Sequence, residues 1–320
     1  MMQLSVIICT HNRERLLSET LTSLNFAQRP ADFGVEIVVV ANGCTDGSMI
    51  MLQEYAARQA QEGLLQLRAF EEPRLGKSYA LNTAIQLDLA PLVAFVDDDQ
   101  AVDPGFLEGI RVAAECYVDS DLFCGKIHPD WTGVEPKWVH HKGPYPIFPT
   151  PVPTFDLGDA SQIIVPDTMT PSGGNLIVRR EWLARVGPFS IDLGPTGHNL
   201  LGGEDVEWVK RALAAGAVLR YIPEVRQLHY VDTERITMPY LLRKALERSC
   251  SVILFSPQHQ AVKHVPAYLA RKLSGHILTA IFTLDSQKRR HFMLRIAATL
   301  GEIKGFYKLT HANKRRAVTR

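Results

Sequence analysis

Two kinds of apolar spacing alternate along the N-terminal part of the chain. "LSVIICT" (residues 4–10) and "VEIVVVAN" (residues 35–42) are short runs rich in β-branched residues, too brief for helices and closed by polar turn residues. Apolar at successive positions, they predict strands buried on both faces, as in a parallel sheet. Between them, "RERLLSETLTSLN" sets Leu16, Leu17, Leu21 and Leu24 on a helical stripe; after the second run, "DGSMIMLQEYAARQAQ" repeats the pattern, with Asp46 or Ser48 as its N-cap. "GKSYALNTAIQLDL" followed by "PLVAFVD" makes a third such unit. Strands alternating with helices predict right-handed βαβ units, a mainly parallel sheet, and ligands beyond the carboxyl ends of its strands.

At one such end lie Asp97, Asp98 and Asp99, in "VAFVDDDQ". Three adjacent carboxylates repel one another unless a cation or solvent compensates them. Oxygen ligands at a strand end suit Mg²⁺ or Mn²⁺, held together with a substrate's phosphates. The plainer alternative is a solvated acidic turn.

Composition adds a frame: 46% hydrophobic and 22% charged residues over 320 positions fit a globular chain with a sizeable core. Five cysteines without a C-x-x-C pair suggest neither a disulfide framework nor a zinc site, which points to a reducing cytoplasm. The N-terminus enters a strand pattern with no basic region or small-residue cleavage site, so no signal peptide is expected. No apolar run reaches the roughly 18–20 residues of a spanning helix. The net charge of +1 conceals an asymmetry: residues 261–320 hold 13 Lys or Arg against two acids, leaving 22 bases and 32 acids before them. A tail so charged meets a different partner, or solvent.

Six segments, "SVIICTHNRERLLSETLTSL", "EIVVVANGCTDGS", "RLGKSYALNTAI", "VAFVDDDQAVDPGFL", "GGNLIVRREWLARVGPFS" and "GGEDVEWVKRALAAGA", together resemble in order and spacing the family 2 glycosyltransferases. The resemblance covers residues 4–230 and implies the α/β GT-A fold: a Rossmann-like, mainly parallel mixed sheet flanked by helices, here with a C-terminal basic helical extension. The implied division is a catalytic domain over 1–235 and an amphipathic helical region over 236–320.

The resemblance also implies a nucleotide-diphosphate sugar donor and assigns residues to it. Thr10, His11, Asn12 and Arg13 would line the nucleoside pocket, with His11 where an aromatic ring stacks on the base. Read alone, they are equally a strand-to-helix turn capped by Asn12. The base-contacting Asp of the family falls on Ala41, followed by Asn42, which leaves the nucleotide open. Gly76 and Lys77 match a Gly-Lys segment whose cation faces the diphosphate; an exposed helix-start lysine is the alternative. The D-x-D motif falls on Asp97 and Asp99, with Asp99 implied as the metal ligand and Asp97 or Asp98 on the ribose or completing the shell. His229 stands where relatives place a metal or diphosphate ligand, although a lone histidine after a strand is more often structural.

Attack by an acceptor hydroxyl needs a base. "GGEDVEW" offers Glu204 and Asp205 at a helix start, where the helix N-terminus argues against a raised pKa and keeps a carboxylate ionised. By resemblance Asp205 is the base, with Glu204 and Trp208 near the acceptor; simple helix capping is the alternative. Gly173, Gly174 and Asn175 form a turn implied to lie beside donor sugar and acceptor. From Pro129 to Phe155, seven prolines interleaved with Trp131, Trp138, Tyr145, Phe148 and Phe155 predict an irregular loop that sets acceptor specificity or packs as a surface excursion.

Beyond Pro266, stripes at Leu269, Leu273, Ile277 and Ile281, then Phe292, Ile296, Leu300 and Ile303, are bordered by Lys and Arg. Such helices either bind an anionic membrane surface or pack on the catalytic body or a second subunit. Nucleic acid is not expected, since no reading module is present. The expectation is an inverting, metal-dependent hexosyltransferase acting on a saccharide or lipid-linked acceptor in bacterial polysaccharide or lipopolysaccharide assembly, cytoplasmic or peripheral on the inner membrane's cytoplasmic face. A non-catalytic glycan-binding relative is the alternative, although binding alone needs no base. A sugar nucleotidyltransferase is disfavoured because "CTHNRER" replaces its Gly-rich loop.

Overall fold

The structure is a computed structural model that describes residues 2–141, 143–165, 170, 171, 173–194, 202–255, 259, 262 and 264–318, with side chains described through residue 311. The described residues form two compact units, one of residues 1–130, 152–197 and 203–230, the other of 131–151, 198–202 and 231–320.

The first unit is built on one sheet. Strands β1 (Met2–Thr10), β2 (Gly34–Asn42), β3 (Gln66–Glu72) and β4 (Leu92–Val96) are mutually parallel, with β5 (Gln100–Val102), β6 (Leu122–Asp130), β7 (Gln162–Ile163), β8 (Asn175–Arg179) and β9 (Leu219–Tyr230) completing the sheet. The main path runs β3-β2-β1-β4-β8-β6-β9-β5, with β7 on β9. β8 is antiparallel to both β4 and β6, so the sheet is mixed. Because β2 and β4 lie on opposite sides of β1, their connections diverge, opening a crevice at the carboxyl ends of β1 and β4. Residues 10–13 and 97–99 both emerge there.

Alternation along β1 explains the two cores. Leu4, Val6 and Ile8 pack with Leu17, Leu21 and Leu24 of α1 (Glu14–Phe26), Leu52 of α2 (Ser48–Arg58), and Phe106 and Ile110 of α4 (Phe106–Cys116). Ile7 faces the other way, toward Ala80 and Leu81 of α3 (Lys77–Ala84), Leu183 of α5 (Glu181–Val186), and Trp208 and Val209 of α6 (Glu204–Ala214). The buried α1 stripe keeps Leu17, Leu21 and Leu24 of the expected positions, with Thr20 joining them and Leu16 only half-buried. At α2 the N-cap position is held by Gly47, neither of the expected residues, while Asp46 just outside it accepts the Ser48 amide through Oδ1 at 3.1 Å. β3 escapes the hydrophobicity pattern because "QLRAFEE" is an edge strand whose Arg68 reaches back to Glu36 of β2 in a paired contact of 2.9 and 3.0 Å. All five cysteines are free thiols.

The second unit consists of α7 (Met238–Phe255), α8 (Tyr268–Phe282), α9 (Ser286–Val318) and the segment 131–151. Trp138 and Ile147 of that segment pack with Leu241 and Leu294, Arg290 lies 5.5 Å over the Trp138 ring, and Lys288 lies 5.4 Å from the Tyr145 ring. Trp138 and Tyr145 are thus committed to packing, and Phe155 is buried against Tyr221 in the first unit, leaving Trp131 and Phe148 exposed.

On α9 the buried row is Leu294, Ala297, Phe306 and Leu309, out of phase with the expected stripe, whose Leu300 is exposed. The reason is glycine. A Cβ on Gly301 would lie 2.1 Å from the Leu246 carbonyl oxygen, and one on Gly305 would lie 2.7 Å from Ile253 Cβ, so α7 and α9 meet backbone to backbone at a face that hydropathy does not mark. We therefore expect Gly301→Ala to lower stability by about 1–3 kcal/mol in thermal unfolding. Gly275→Ala, on α8 with open space around its Cβ, should instead raise it by roughly 0.5–1 kcal/mol.

Candidate active site

The β1–α1 turn is held by its neighbour. Asn12 adopts φ 52°, and its Oδ1 accepts the backbone amides of Thr45 and Asp46 at 2.7 and 3.3 Å, tying the loop after β1 to the loop after β2. It does not cap α1; Arg13 occupies the N-cap position. Thr10 is buried at the end of β1, and the exposed His11 bonds through Nδ1 to the Asn42 carbonyl at 2.6 Å. Asn42 is engaged through both side-chain atoms: its Nδ2 donates to the carbonyls of Glu72 and Arg74, and its Oδ1 accepts the Gly76 amide at 2.8 Å. Asn42 is therefore placed to hold the Gly76 loop. Ala41 is buried in the sheet. Gly76 has φ 138° and starts α3, aiming Lys77 into the crevice.

Each of the three acids has a basic neighbour. Lys77 Nζ lies 2.6 Å from Asp97 Oδ1, and one Arg13 nitrogen lies 2.7 Å from Asp98 Oδ1 and 2.8 Å from Asp99 Oδ2. Burial works to raise the Asp97 carboxyl, but Lys77 outweighs it and the net shift is downward. Asp98 moves the other way: burial raises it, with Arg13 only partly opposing and Asp99 adding repulsion. Lys77 is held well above its ordinary value because Asp97, Glu204 and Asp205 outweigh its desolvation. The acids are thus not a solvated turn; Asp98 and Asp99 are buried.

Glycines bring the opposite wall close. A Cβ on Gly174 would stand 2.5 Å from Asp97 Oδ2 and 2.6 Å from Gln100 Nε2, and one on Gly173 would stand 2.7 Å from Asp205 Cβ. The turn therefore fits between the β4 acids and the α6 acids only without side chains. Gln100, which the motif reading passes over, is buried and accepts the Asp97 amide at 3.1 Å. Asn175 turns inward, its Nδ2 donating to the carbonyls of Lys126 and Val225 across a bulge at Gly125, so it braces the sheet instead of facing an acceptor.

At the start of α6, Asp205 accepts the Gly173 amide through Oδ2 and the Val206 amide through Oδ1 at 2.7 Å. Glu204 points inward and is 3% exposed, with Oε1 3.9 Å from Lys77 Nζ and no hydrogen-bond partner for Oε2. Burial first, and Asp205 second, push it up to about 7, contrary to the expectation that the helix N-terminus would prevent a raised pKa. Trp208 is fully buried, its Nε1 donating to the Gly187 carbonyl at 2.9 Å and its ring stacked on Phe189, which puts it in the core and away from any acceptor surface. A cavity of about 20 Å³, room for about one water, lies among Ile7, Phe95, Lys77, Asp97 and Asp205. Cys9 also lines it, its thiol pushed up to about 12 by burial and so unreactive.

Among the described residues no group of three or more His, Cys, Asp or Glu is arranged to hold an ion. Two donors are. His229 Nδ1 faces the Tyr230 carbonyl at 2.8 Å and must donate to it, which leaves Nε2 facing Asp99 Oδ1 at 3.4 Å. A nitrogen lone pair opposite a carboxylate calls for a proton or a metal ion between them. One carboxylate and one imidazole fit an Mg²⁺ or Mn²⁺ ion that takes its other ligands from substrate phosphates and water.

The Glu204 environment has a measurable consequence. An acid raised from 4.5 to about 7 on folding costs nothing below the lower value, and its cost grows as pH rises between the two and is constant above. Between pH 4.5 and 8, Glu204→Gln should gain about 3 kcal/mol relative to the parent chain in denaturant unfolding. A difference that stays flat across this window would show Glu204 to be unperturbed.

Comparison with known proteins gives the family and the fold. The family model "Glycosyl transferase family 2" matches residues 5–187. Among curated proteins, the chain is 23% identical over 314 residues to the succinoglycan biosynthesis protein ExoM of Rhizobium meliloti, covering 95% of this chain and 93% of that one. It is 26% identical over 228 residues to glycosyltransferase AglE of Haloferax volcanii, covering 70% and 66%. Among solved structures, the mannosyltransferase PcManGT from Pyrobaculum calidifontis in complex with GDP-Man and Mn²⁺ superposes with a TM-score of 0.61 at 18% identity, over 96% of this chain and 87% of that one. S. aureus TarS 1–349 in complex with UDP-GlcNAc gives 0.52 at 16%, over 98% and 92%. The mixed sheet with its crevice at β1 and β4 is accordingly the GT-A fold, and the chain belongs to glycosyl transferase family 2 and is a glycosyltransferase.

Proposed function

We propose that the crevice at the ends of β1 and β4 binds a nucleotide-diphosphate sugar and transfers its sugar, with inversion, to an acceptor hydroxyl. The observation that carries this reading is the convergence of Lys77, Asp97 and Asp205 around the Gly173–Gly174 turn, with the Asp99–His229 pair at the neighbouring strand end. A cation, a metal-competent pair and a second carboxylate are what the diphosphate, its counter-ion and the attacking hydroxyl require.

In this reading the exposed ring of His11, fixed by the Asn42 carbonyl, stacks on the base, and Thr10, Asn12 and Arg13 line the nucleoside side. Lys77 faces the diphosphate, which takes it from Asp97, and Asp97 or Asp98 contacts the ribose. Asp99 and His229, with Asp97 in reserve, would hold Mg²⁺ or Mn²⁺. When bound, the ion supplies Lewis acidity that neutralises charge on the departing nucleoside diphosphate. Asp205, oriented by two backbone amides, takes the proton of the acceptor hydroxyl as it attacks the anomeric carbon. Glu204 sits behind the acceptor side and keeps Lys77 in place. The mechanism uses a single displacement, with no separate nucleophile needed.

The names of the relatives, one in succinoglycan biosynthesis and one carrying GDP-Man, support a hexose donor and a saccharide or lipid-linked acceptor in bacterial polysaccharide assembly. We place the enzyme at the cytoplasmic face of a membrane, as a peripheral protein; among the described residues no helix is long and apolar enough to cross one.

The test is a thermal-shift screen of UDP, GDP, dTDP and CMP, each with and without Mn²⁺. One nucleotide at hundredfold excess over its Kd should stabilise the chain by roughly 2–3 kcal/mol, only with metal, and Asp99→Ala should abolish the shift. No shift with any of the four would remove the donor site. Asp205→Asn should keep that shift while lowering kcat by about 10²–10⁴, and the parent enzyme's product should carry the inverted anomeric configuration by NMR. A retained configuration would overturn the single displacement.

A further inference from the structure

The second unit carries an apolar tip that its own packing does not use. α8 is anchored at its start by one buried side chain, Leu269, set against Ile253 and Phe306. Two turns later only the small Ala280 is still buried. Ile277 and Leu278 are exposed, and at the end of the helix and in the turn to α9 Ile281 is 64%, Phe282 78% and Leu284 96% exposed. Ile277 and Ile281, and Leu278 and Phe282, are each four residues apart, so they form two adjacent rows on one helix face that end at the turn. Scattered exposed apolar residues are ordinary; five within eight positions at the tip of a helical hairpin make a contiguous patch.

The charges around this tip have one sign. From residue 268 to 300 the chain has six Lys or Arg and a single acid, Asp285. That acid is spent locally, its Oδ1 accepting the amides of Gln287 and Lys288 at 2.8 and 3.3 Å as the cap of α9. Arg289 folds back over the turn, donating to the Thr283 carbonyl at 2.8 Å, and is itself exposed. Of these cations, Lys272 is paired with Glu302 of α9 at 2.8 Å, whereas Lys288, Arg289 and Arg290 stand next to the apolar turn with no carboxylate paired to them among the described residues.

We infer that the α8–α9 turn is a membrane-docking tip, in which Ile281, Phe282 and Leu284 enter the headgroup–acyl boundary of an anionic bilayer while Arg289 and its neighbours pair with lipid phosphates. This deepens the peripheral placement proposed above by naming the segment that makes the contact and the lipid charge it selects. Charge complementarity decides for lipid over a second copy of the chain, since two such tips face to face would bring their cations together. The tip is short, so it anchors reversibly, as single shallow insertions do.

The test is flotation of the full chain, without nucleotide, on vesicles of phosphatidylcholine alone and on vesicles that also contain phosphatidylglycerol. The chain should float with the phosphatidylglycerol vesicles only, and less so as salt is raised. Phe282→Ser combined with Leu284→Ser should reduce the partition coefficient by roughly tenfold for each side chain removed. Arg289→Glu should reduce binding mainly at low salt. Both variants change exposed positions, so the thermal midpoint and any nucleotide-induced shift should match the parent. Because no donor is present in the flotation, failure of the donor screen and failure of this proposal are separate results. Equal flotation of the parent and the double variant would overturn the proposal, as would flotation of neither on either vesicle. So would a concentration-dependent dimer that the double variant disperses while the parent ignores lipid, which would make the tip a contact between copies.

Discussion

Three consecutive carboxylates at the end of β4, two of them buried, can stand together only because cations arrive from elsewhere in the chain. Arg13 comes from the turn after β1, set beside the acids by the parallel pairing of β1 with β4, and Lys77 comes from the first turn of α3, whose loop is held by Asn42. Burying a charge without a partner costs several kcal/mol, so the positions of these loops and the ionisation of the acids are one problem with one solution. The remaining features of the crevice follow from it. Asn12 locks the Arg13 loop to the loop after β2, Asn42 locks the Lys77 loop to the end of the same strand, and the glycine turn at 173–174 is kept bare so that Asp97 and Asp205 can share the space.

This arrangement separates two acids that are adjacent in sequence. Asp205 lies against two backbone amides at the rim, whereas Glu204 points into the interior toward Lys77 with one oxygen unbonded. Neighbouring positions on a helix point about 100° apart, and here that rotation is the difference between a group in contact with the crevice and one behind it. Asp97 and Asp205 line a small cavity with room for about one water.

Much of this was legible in the sequence, and the misses have physical causes. Strands β1, β2 and β4 and helices α1 and α2 announce themselves by periodicity, because they are central or pack one clean face. β3 does not, since an edge strand can carry Arg68 and two glutamates without burying them all. The motif acids were found because carboxylates in a row are conspicuous; the partners that make them tolerable were visible only as residue types. Asn42, Asn175 and Trp208 show the limit most clearly. A polar or aromatic side chain near a motif looks the same in sequence whether it faces a ligand or braces a loop, and here all three brace. The phase of α9 was lost for a related reason: its contact face is marked by what is missing at Gly301 and Gly305, and a scale of hydrophobicity has no entry for a missing side chain.

The glycine contact between α7 and α9 has a mechanical consequence. Helices separated by a layer of side chains can slide a little by exchanging rotamers, but backbones that touch at two points one turn apart have no such layer to shear. The two helices are therefore keyed in register, like a rod seated in a notch. A push at the far end of α9 cannot be absorbed as slip along α7; it turns the pair as one stiff body.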